Sequence, residues 1–270
     1  MLVTAILVAV VAYLFFTLTR TVFDEHRKQK VIDEFNVKLE VAASARDRYL
    51  QTQAVEQLDQ AIGAWEEIVK HESFSRLSES LRYSLWESLG IAYYQRFERL
   101  GQTRDLKRAL LWWRYELIYV RSDSQRFRTC FANLIAGLYA SYEHTGKIED
   151  LEEAIRKTEE VLSSDGWDND ELASVLNTFS NCLRAYYDRT GKIEDLEKAI
   201  SAIRQALDLI SEDDPDRAGY VTTLGTVLRL RYERMGREAD LQESIWMSQK
   251  ALPALTSNSP EQRIILNNLG

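Results

Sequence analysis

Along most of this chain apolar residues recur three and four positions apart, the spacing that lines one face of a helix, as in Leu224, Val227, Leu228 and Tyr232. The pattern also repeats on a longer scale. The block from Tyr142 to Ile155 returns almost unchanged from Tyr187 to Ile200, and more loosely from Tyr232 to Ile245 and from Phe97 to Leu110. Its glycines, Gly101, Gly146, Gly191 and Gly236, stand 45 residues apart. Each is followed at fixed distances by an Asp-Leu pair (Asp105, Asp150, Asp195, Asp240, each before Leu) and by a small residue (Ala109, Ala154, Ala199, Ser244). Self-similarity at a fixed period is the signature of a repeat architecture, so the chain predicts an array of helix pairs.

Turn residues predict where each pair starts and breaks. Ser124, Asn169, Asp214 and Ser259 recur at the same phase and are N-cap types, whose side-chain oxygen accepts a free N–H of the first turn. Pro215 and Pro260 follow two of them, at a first helical position where proline lacks only an N–H that would be unpaired anyway. The recurring glycine closes the first helix in the left-handed conformation. The Asp-Leu-x-x-Ala block opens the second, with Asp150 and Glu153 read as a capping box, and that helix runs to Val161-Leu162 or Ala206-Leu207. The alanines keep the crossing of two antiparallel helices close, since larger residues would overpack it. The aromatics Phe97, Tyr142, Tyr187 and Tyr232 are expected to fill space between adjacent repeats.

Residues 53–90 hold a further second helix, with Leu58, Ala61 and Ile62 in register and a three-residue insertion near His71–Ser78. Residues 20–52 read as a charged linker or capping helix, and residues 53–270 as the repeats. The last repeat is incomplete: Leu266 and Leu269 lack their second helix, which predicts either a fragment of a longer protein or a shortened terminal cap.

The first nineteen residues, Met1 to Thr19, carry no charge and would span roughly 28 Å as a helix, close to the ~30 Å hydrocarbon core of a bilayer. No basic residue precedes them and no small-residue cleavage site follows, so a membrane anchor is expected rather than a secretory signal. Arg20, Arg27, Lys28 and Lys30 come directly after, which predicts a single-pass protein with its repeats in the cytoplasm.

Composition sharpens the exclusions. Three prolines and eleven glycines in 270 residues favour helix. A net charge of −8 argues against a nucleic-acid surface. Cys130 and Cys182 cannot build a disulfide framework and are expected to be buried packing residues. No phosphate-binding loop, dinucleotide fingerprint or metal-ligand motif occurs. His26, His71 and His144 lie far apart, and Cys130 and His144 on one helix would be roughly 21 Å apart. Carboxylates such as Glu152, Glu153, Asp195 and Glu197 sit near Lys or Arg, as on solvated helix faces. No catalytic residue, cofactor, metal or small-molecule substrate is expected.

Leu224-Gly225, Arg231 to Gly236, Asp240-Leu241, Asp214 to Ala218 and Leu269-Gly270 together resemble the long-period tetratricopeptide (TPR) arrays common in fungal proteins, which often precede a caspase-like CHAT domain. The resemblance covers residues 53–270 and implies an all-α, right-handed superhelical solenoid of antiparallel helix pairs. It also implies a concave groove that binds a protein or peptide, lined here by Glu87, Tyr94, Tyr139, Asn177, Asn181, Arg184, Thr222, Thr226 and Arg229. Asn177, Asn181 and Arg184 fall at i, i+4 and i+7, so one helix face presents two amides and a guanidinium; the guanidiniums could equally pair with surface acids. Three functions compete: a membrane-tethered scaffold, a receptor similar to TPR import receptors of the outer mitochondrial membrane, and the N-terminal part of a CHAT-type protease.

Overall fold

The computed structural model describes residues 29–162, 166–252 and 262–264. All regular elements among them are helical. A helix that includes residues 29–52 (α1) is followed by α2 (Val55–Lys70), α3 (Glu79–Leu100), α4 (Thr103–Tyr119), α5 (Gln125–Thr145) and α6 (Ile148–Val161). Then come α7 (Asn169–Thr190), α8 (Ile193–Leu209), α9 (Arg217–Met235) and α10 (Glu238–Ala251). The chain divides at Leu100–Gly101 into two compact units, α1–α3 and α4–α10. Among the described residues no helix is long and apolar enough to cross a membrane. The apolar segment Met1–Thr19, and with it Ser259, Pro260, Leu266 and Leu269, lies outside the described residues.

In the first unit, α1 and α2 run antiparallel. The Phe35 ring meets His71 edge-on at 5.1 Å, Lys38 pairs with Glu67 at 2.8 Å, and Arg48 donates to Gln57 at 2.7 Å, so advance along α1 matches retreat along α2. Phe35, Ala42, Ala45 and Tyr49 form the buried face of α1. After Thr52 the chain turns at Gln53 with φ +58°, and the Gln53 N–H donates to the Tyr49 carbonyl at 2.7 Å. The glycine turns further on have the same geometry: φ is +70° at Gly146, +69° at Gly191 and +68° at Gly236, and each N–H donates at 2.7 Å to the tyrosine carbonyl four residues back. Gln53 precedes Gly101 by 48 residues, which is the 45-residue period plus the three-residue insertion. The α1–α2 hairpin is therefore one more repeat of the array, with Gln53 in the glycine position and Tyr49 in the aromatic one. The insertion appears between α2 and α3 as a turn of 3-10 helix at Phe74–Arg76. Leu58, Ala61 and Ile62 are buried on α2, and α3 packs on it through Arg96–Asp59 at 2.6 Å and a Tyr93–Glu66 hydrogen bond.

In the second unit the first helices α5, α7 and α9 stand side by side, and the second helices pack between and behind them: α4 on α5, α6 on α5 and α7, α8 on α7 and α9, α10 on α9. Each pair is antiparallel. Along α7, Ser180 meets Ala199 and Thr190 meets Asp195; along α9, Gly225 meets Ser244 and Arg231 meets Asp240. The small residues mark close crossings, as expected. Ala109, Ala154, Ala199 and Ser244 are all enclosed. The Ser180 hydroxyl donates to the Ala199 carbonyl at 2.9 Å, and one repeat later the roles reverse, with Ser244 donating to the Gly225 carbonyl at 2.9 Å. A continuous apolar core joins α7, α8 and α9 through Leu176, Phe179, Leu183, Ile200, Ile203, Leu224 and Leu228. Cys130 and Cys182 are both buried and unpaired by disulfide.

Several local expectations need correction. Ser124 caps α5 as predicted, accepting from Phe127 N–H at 3.1 Å. On α7 the cap is Asp168, not Asn169: its carboxylate accepts from Glu171 N–H at 2.8 Å, and a charged acceptor at the positive end of a helix outcompetes a neutral amide one residue on. On α9 neither Asp214 caps the helix nor does Pro215 open it. The Asp214 carboxylate instead accepts from Asp216 N–H at 2.8 Å, a local Asx turn that delays the helix to Arg217. The Asp150–Glu153 capping box does not form. The cap residue there is Lys147, which has no short oxygen, so the Asp150 carboxylate turns to the preceding helix and accepts from Ser141 at 2.6 Å, while Glu153 pairs with Arg114. Phe97, Tyr142, Tyr187 and Tyr232 are half-buried rather than enclosed, because they sit in the last turn of their helices beside an exposed end.

Candidate functional site

The structure divides the predicted groove residues between the two units. Glu87 and Tyr94 lie on α3 in the first. Glu87 borders a cleft of about 260 Å³ with Arg46, Trp65, Ser84 and Ile91, and the Tyr94 ring sits 6.1 Å from Phe97. The other seven lie on α5, α7 and α9 of the second unit, where the repeat period brings equivalent positions together. Tyr139, Arg184 and Arg229 are 45 residues apart and occupy the same place on successive first helices. Arg184 reaches back one repeat and donates to the Tyr139 hydroxyl at 3.2 Å.

Most of these groups are already committed. Arg184 also pairs with Asp188 one turn along its own helix at 3.2 Å, and Arg229 pairs in the same way with Glu233. Such i,i+4 pairs are worth only about 0.2–0.5 kcal/mol, so they orient a guanidinium without removing it from a ligand's reach, while the paired acid offsets its charge. The Asn181 amide donates to the Asn177 backbone carbonyl at 3.2 Å. Thr226 donates to the Thr222 carbonyl at 2.9 Å. Thr222, predicted to face the groove, is buried and donates to the Ala218 carbonyl at 2.8 Å: a β-branched hydroxyl satisfied by its own helix can sit in the core. The Asn177 side-chain oxygen is the exception. It is shielded from solvent and has no hydrogen-bond partner. A buried amide oxygen without a donor costs about 1–3 kcal/mol, and because this one is closed to solvent a partner's N–H reaches it only after a local rearrangement.

The surroundings set the electrostatics. Burial pushes the Tyr139 phenol well above its usual range; the neighbouring Arg184 opposes the shift and Glu143 adds to it. Burial likewise pushes the Cys182 thiol up to about 12, so this cysteine behaves as an inert packing residue.

One set of contacts escaped sequence reasoning. Arg114 pairs with Glu153, Glu159 with Lys198, and Arg204 with Glu243, at 2.6, 2.6 and 2.7 Å. Each pair spans 39 residues and joins neighbouring second helices, and the sign alternates: α4 is basic at these positions, α6 acidic, α8 basic, and α10 acidic again at Glu243. The signal available in sequence is the sign reversal at one period, from Arg114 to Glu159 to Arg204.

No protein-family model and no curated protein matches the chain. Among solved structures it is similar to BtubC (BKLC) of P. vanneervenii, at 18% identity and a TM-score of 0.43 over 85% of this chain and 94% of that one. It is also similar to a Podosopora anserina kinesin light chain protein with nearly identical TPR-like repeats, at 16% identity and a TM-score of 0.48 over 82% and 96% of the two chains. The Lin0763 protein of Listeria innocua gives 12% identity and a TM-score of 0.37 over 86% and 83%. The period and the pairing of helices identify the repeat without them.

Proposed function

We propose that this protein is a non-catalytic interaction scaffold: a TPR-like array, tethered to a membrane through residues 1–19 with its repeats in the cytoplasm, that binds a protein segment along its first helices. One observation carries the reading. The first helices α5, α7 and α9 stand side by side, and at one repeat position they hold Tyr139, Arg184 and Arg229, all polar and half-buried, with Arg184 reaching back to the Tyr139 hydroxyl. The prior commitment of Arg184 to Asp188 and Tyr139, and of Arg229 to Glu233, favours a partner that is not strongly acidic, and so favours this reading over a receptor for acidic chaperone tails. The apolar, uncharged run of residues 1–19 supports the tether.

Two arms of one experiment test the proposal in cells. Carbonate extraction with protease digestion of a C-terminal tag reports the tether: the tagged chain should stay in the membrane fraction and lose its tag in intact organelles. A photo-crosslinking residue at Asn177 should give a discrete adduct that the same residue at the exposed Arg156 does not. Extraction by carbonate refutes the tether, and equal labelling at both positions refutes the groove.

A further inference from the structure

The first unit carries the polar position of the second with one change. Arg46 stands seven residues before Gln53, just as Tyr94, Tyr139, Arg184 and Arg229 stand seven before their glycines, so it holds the same place on the first helix of its repeat. Four residues further on, the later repeats carry an acid (Glu98, Glu143, Asp188, Glu233), and the arginines of α7 and α9 are paired with it. On α1 that residue is Leu50, which is 56% exposed. Arg46 is exposed too, and among the described residues no hydrogen bond or ion pair holds its guanidinium. It borders the cleft of about 260 Å³ together with Trp65 of α2 and Glu87, Ser88, Ile91 and Gln95 of α3, all within the first unit. The side chains of Ser88 and Gln95 likewise make no hydrogen bond among the described residues. Thr178 and Thr223, in the place of Ser88 on α7 and α9, instead donate to their own helices at 3.1 and 3.2 Å. One cleft thus gathers a guanidinium, a hydroxyl and an amide that the fold itself leaves unused.

We propose that this cleft binds an extended segment of a partner protein with an apolar-x-acidic-x-apolar pattern, its carboxylate seated on Arg46. A guanidinium forks onto a carboxylate with two parallel hydrogen bonds, and here no acid one turn along competes for it. The apolar positions follow from the spacing. Helices α1 and α3 each run antiparallel to α2 and so point the same way. Leu50 lies one turn past Arg46, and the half-buried Ile91 one turn before Gln95, each a step of roughly 6 Å. Alternate side chains of an extended chain share a face at about 6.6 Å, which matches both steps. Ser88 and Gln95, roughly 10 Å apart along α3, can pair with the backbone of about three such residues. The volume lies below the ~300–1,000 Å³ of small-molecule sites, so side chains suit it better than a cofactor. Glu87 on the same cleft opposes a phosphorylated residue, whose charge of about −1.5 to −2 exceeds what one guanidinium offsets. This inference rests neither on the tether nor on the helices of the second unit, so the crosslinking and extraction tests can fail while it stands, and the reverse.

The test titrates the full chain, in phosphatidylcholine nanodiscs, into a fluorescent peptide blocked at both ends that carries leucine, glutamate and leucine at alternate positions among serines. Micromolar binding, read by fluorescence polarisation, is expected. Arg46→Gln should bind at least tenfold more weakly with unchanged circular dichroism. Leu50→Glu should do the same, because it restores the acid of the later repeats and pairs Arg46 within α1. Glutamine in place of the peptide's glutamate should weaken binding to the natural chain tenfold and leave Arg46→Gln unaffected. Arg156→Gln, on α6, should bind like the natural chain. Absence of binding, or unchanged binding by Arg46→Gln or Leu50→Glu, overturns the inference. So does tighter binding of a peptide whose only carboxylate is its own C-terminus, or of one with phosphoserine for glutamate, which would assign the cleft to a chain end or to a phosphorylated partner.

Discussion

Replacing Gln53 by glycine isolates the backbone contribution of one repeat turn. Gln53 holds φ at +58°, a conformation that costs a residue with a Cβ about 1–2 kcal/mol. Glycine removes that cost but loses more entropy on folding, about 0.5–1 kcal/mol. The side chain also accepts a hydrogen bond from Arg99 at an exposed site, worth a few tenths of a kcal/mol. The balance favours glycine by about 0.5 kcal/mol. Gly191→Gln runs the comparison backwards: no atom lies within 4 Å of where its Cβ would be, so steric crowding is absent and the loss, about 0.5–1 kcal/mol, is conformational. Urea unfolding followed by tryptophan fluorescence and far-ultraviolet circular dichroism resolves both, since a slope of about 2–3 kcal/mol/M converts 0.5 kcal/mol into a midpoint shift near 0.2 M. Opposite shifts of the two variants are expected. A loss of stability in Gln53→Gly would show that the Arg99 contact holds Gln53 in place, and that the residue is not simply a tolerated substitute for glycine.

Gly137→Ala should destabilise by about 1–3 kcal/mol, because its Cβ would stand 2.7 Å from the ring of buried Trp113; a melting temperature within a degree of the natural chain would refute the close packing. Asp240→Ala should cost about 3 kcal/mol by stranding Arg231, which grips both carboxylate oxygens at 2.7 Å in a nearly buried site, whereas Arg231→Met/Asp240→Leu should cost much less in the same urea titration. The Cys182 thiol titrates near 12 when folded, above its unfolded value, so its stabilising contribution is full below about pH 9 and falls as pH rises towards 12. Unfolding free energies of Cys182→Ala should therefore decline less over that window, and Ellman's reagent should label the natural chain only when unfolded.

The long period and its four glycine turns are legible in sequence because each turn needs the left-handed conformation and glycine alone adopts it cheaply. The first repeat is illegible by that route. Gln53 supplies the turn instead, and the insertion between α2 and α3 moves it to a 48-residue spacing, leaving Tyr49 four residues earlier and buried Ala42 as its traces. Helix starts are harder because neighbouring cap-type residues compete: the repeat phase points to Asn169, whereas the charged carboxylate of Asp168 one residue earlier takes the first-turn N–H of α7. The recurring aspartate is visible but its partner is not. Asp150, Asp195 and Asp240 accept from Ser141, Thr190 and Arg231, residues of the preceding helix that share no identity. Asn177, Asn181 and Arg184 lie at helical spacing along α7, but a shared face says nothing about neighbours four residues along its own helix. Asp188 and Glu233 take up the guanidiniums on which a sequence-based reading of the ligand depends.

A repeat array must also choose which repeat sits beside which, and two features of different range share that task. The alternating charges of the second helices oppose a slip by one repeat: α4 placed beside α8 would set Arg114 against Lys198. A slip by two repeats restores opposite charges, so charge alone leaves an ambiguity, and exposed pairs contribute only about 0.5 kcal/mol each. Packing removes it. Trp113 lies against Gly137, while the corresponding enclosed positions hold Thr158 and Cys182, then Ile203 and Val227. Trp113 cannot pack beside Val227 without severe overlap, and Ile203 beside Gly137 would leave a cavity, each an effect of a few kcal/mol. Size therefore decides the order of repeats and charge reinforces it.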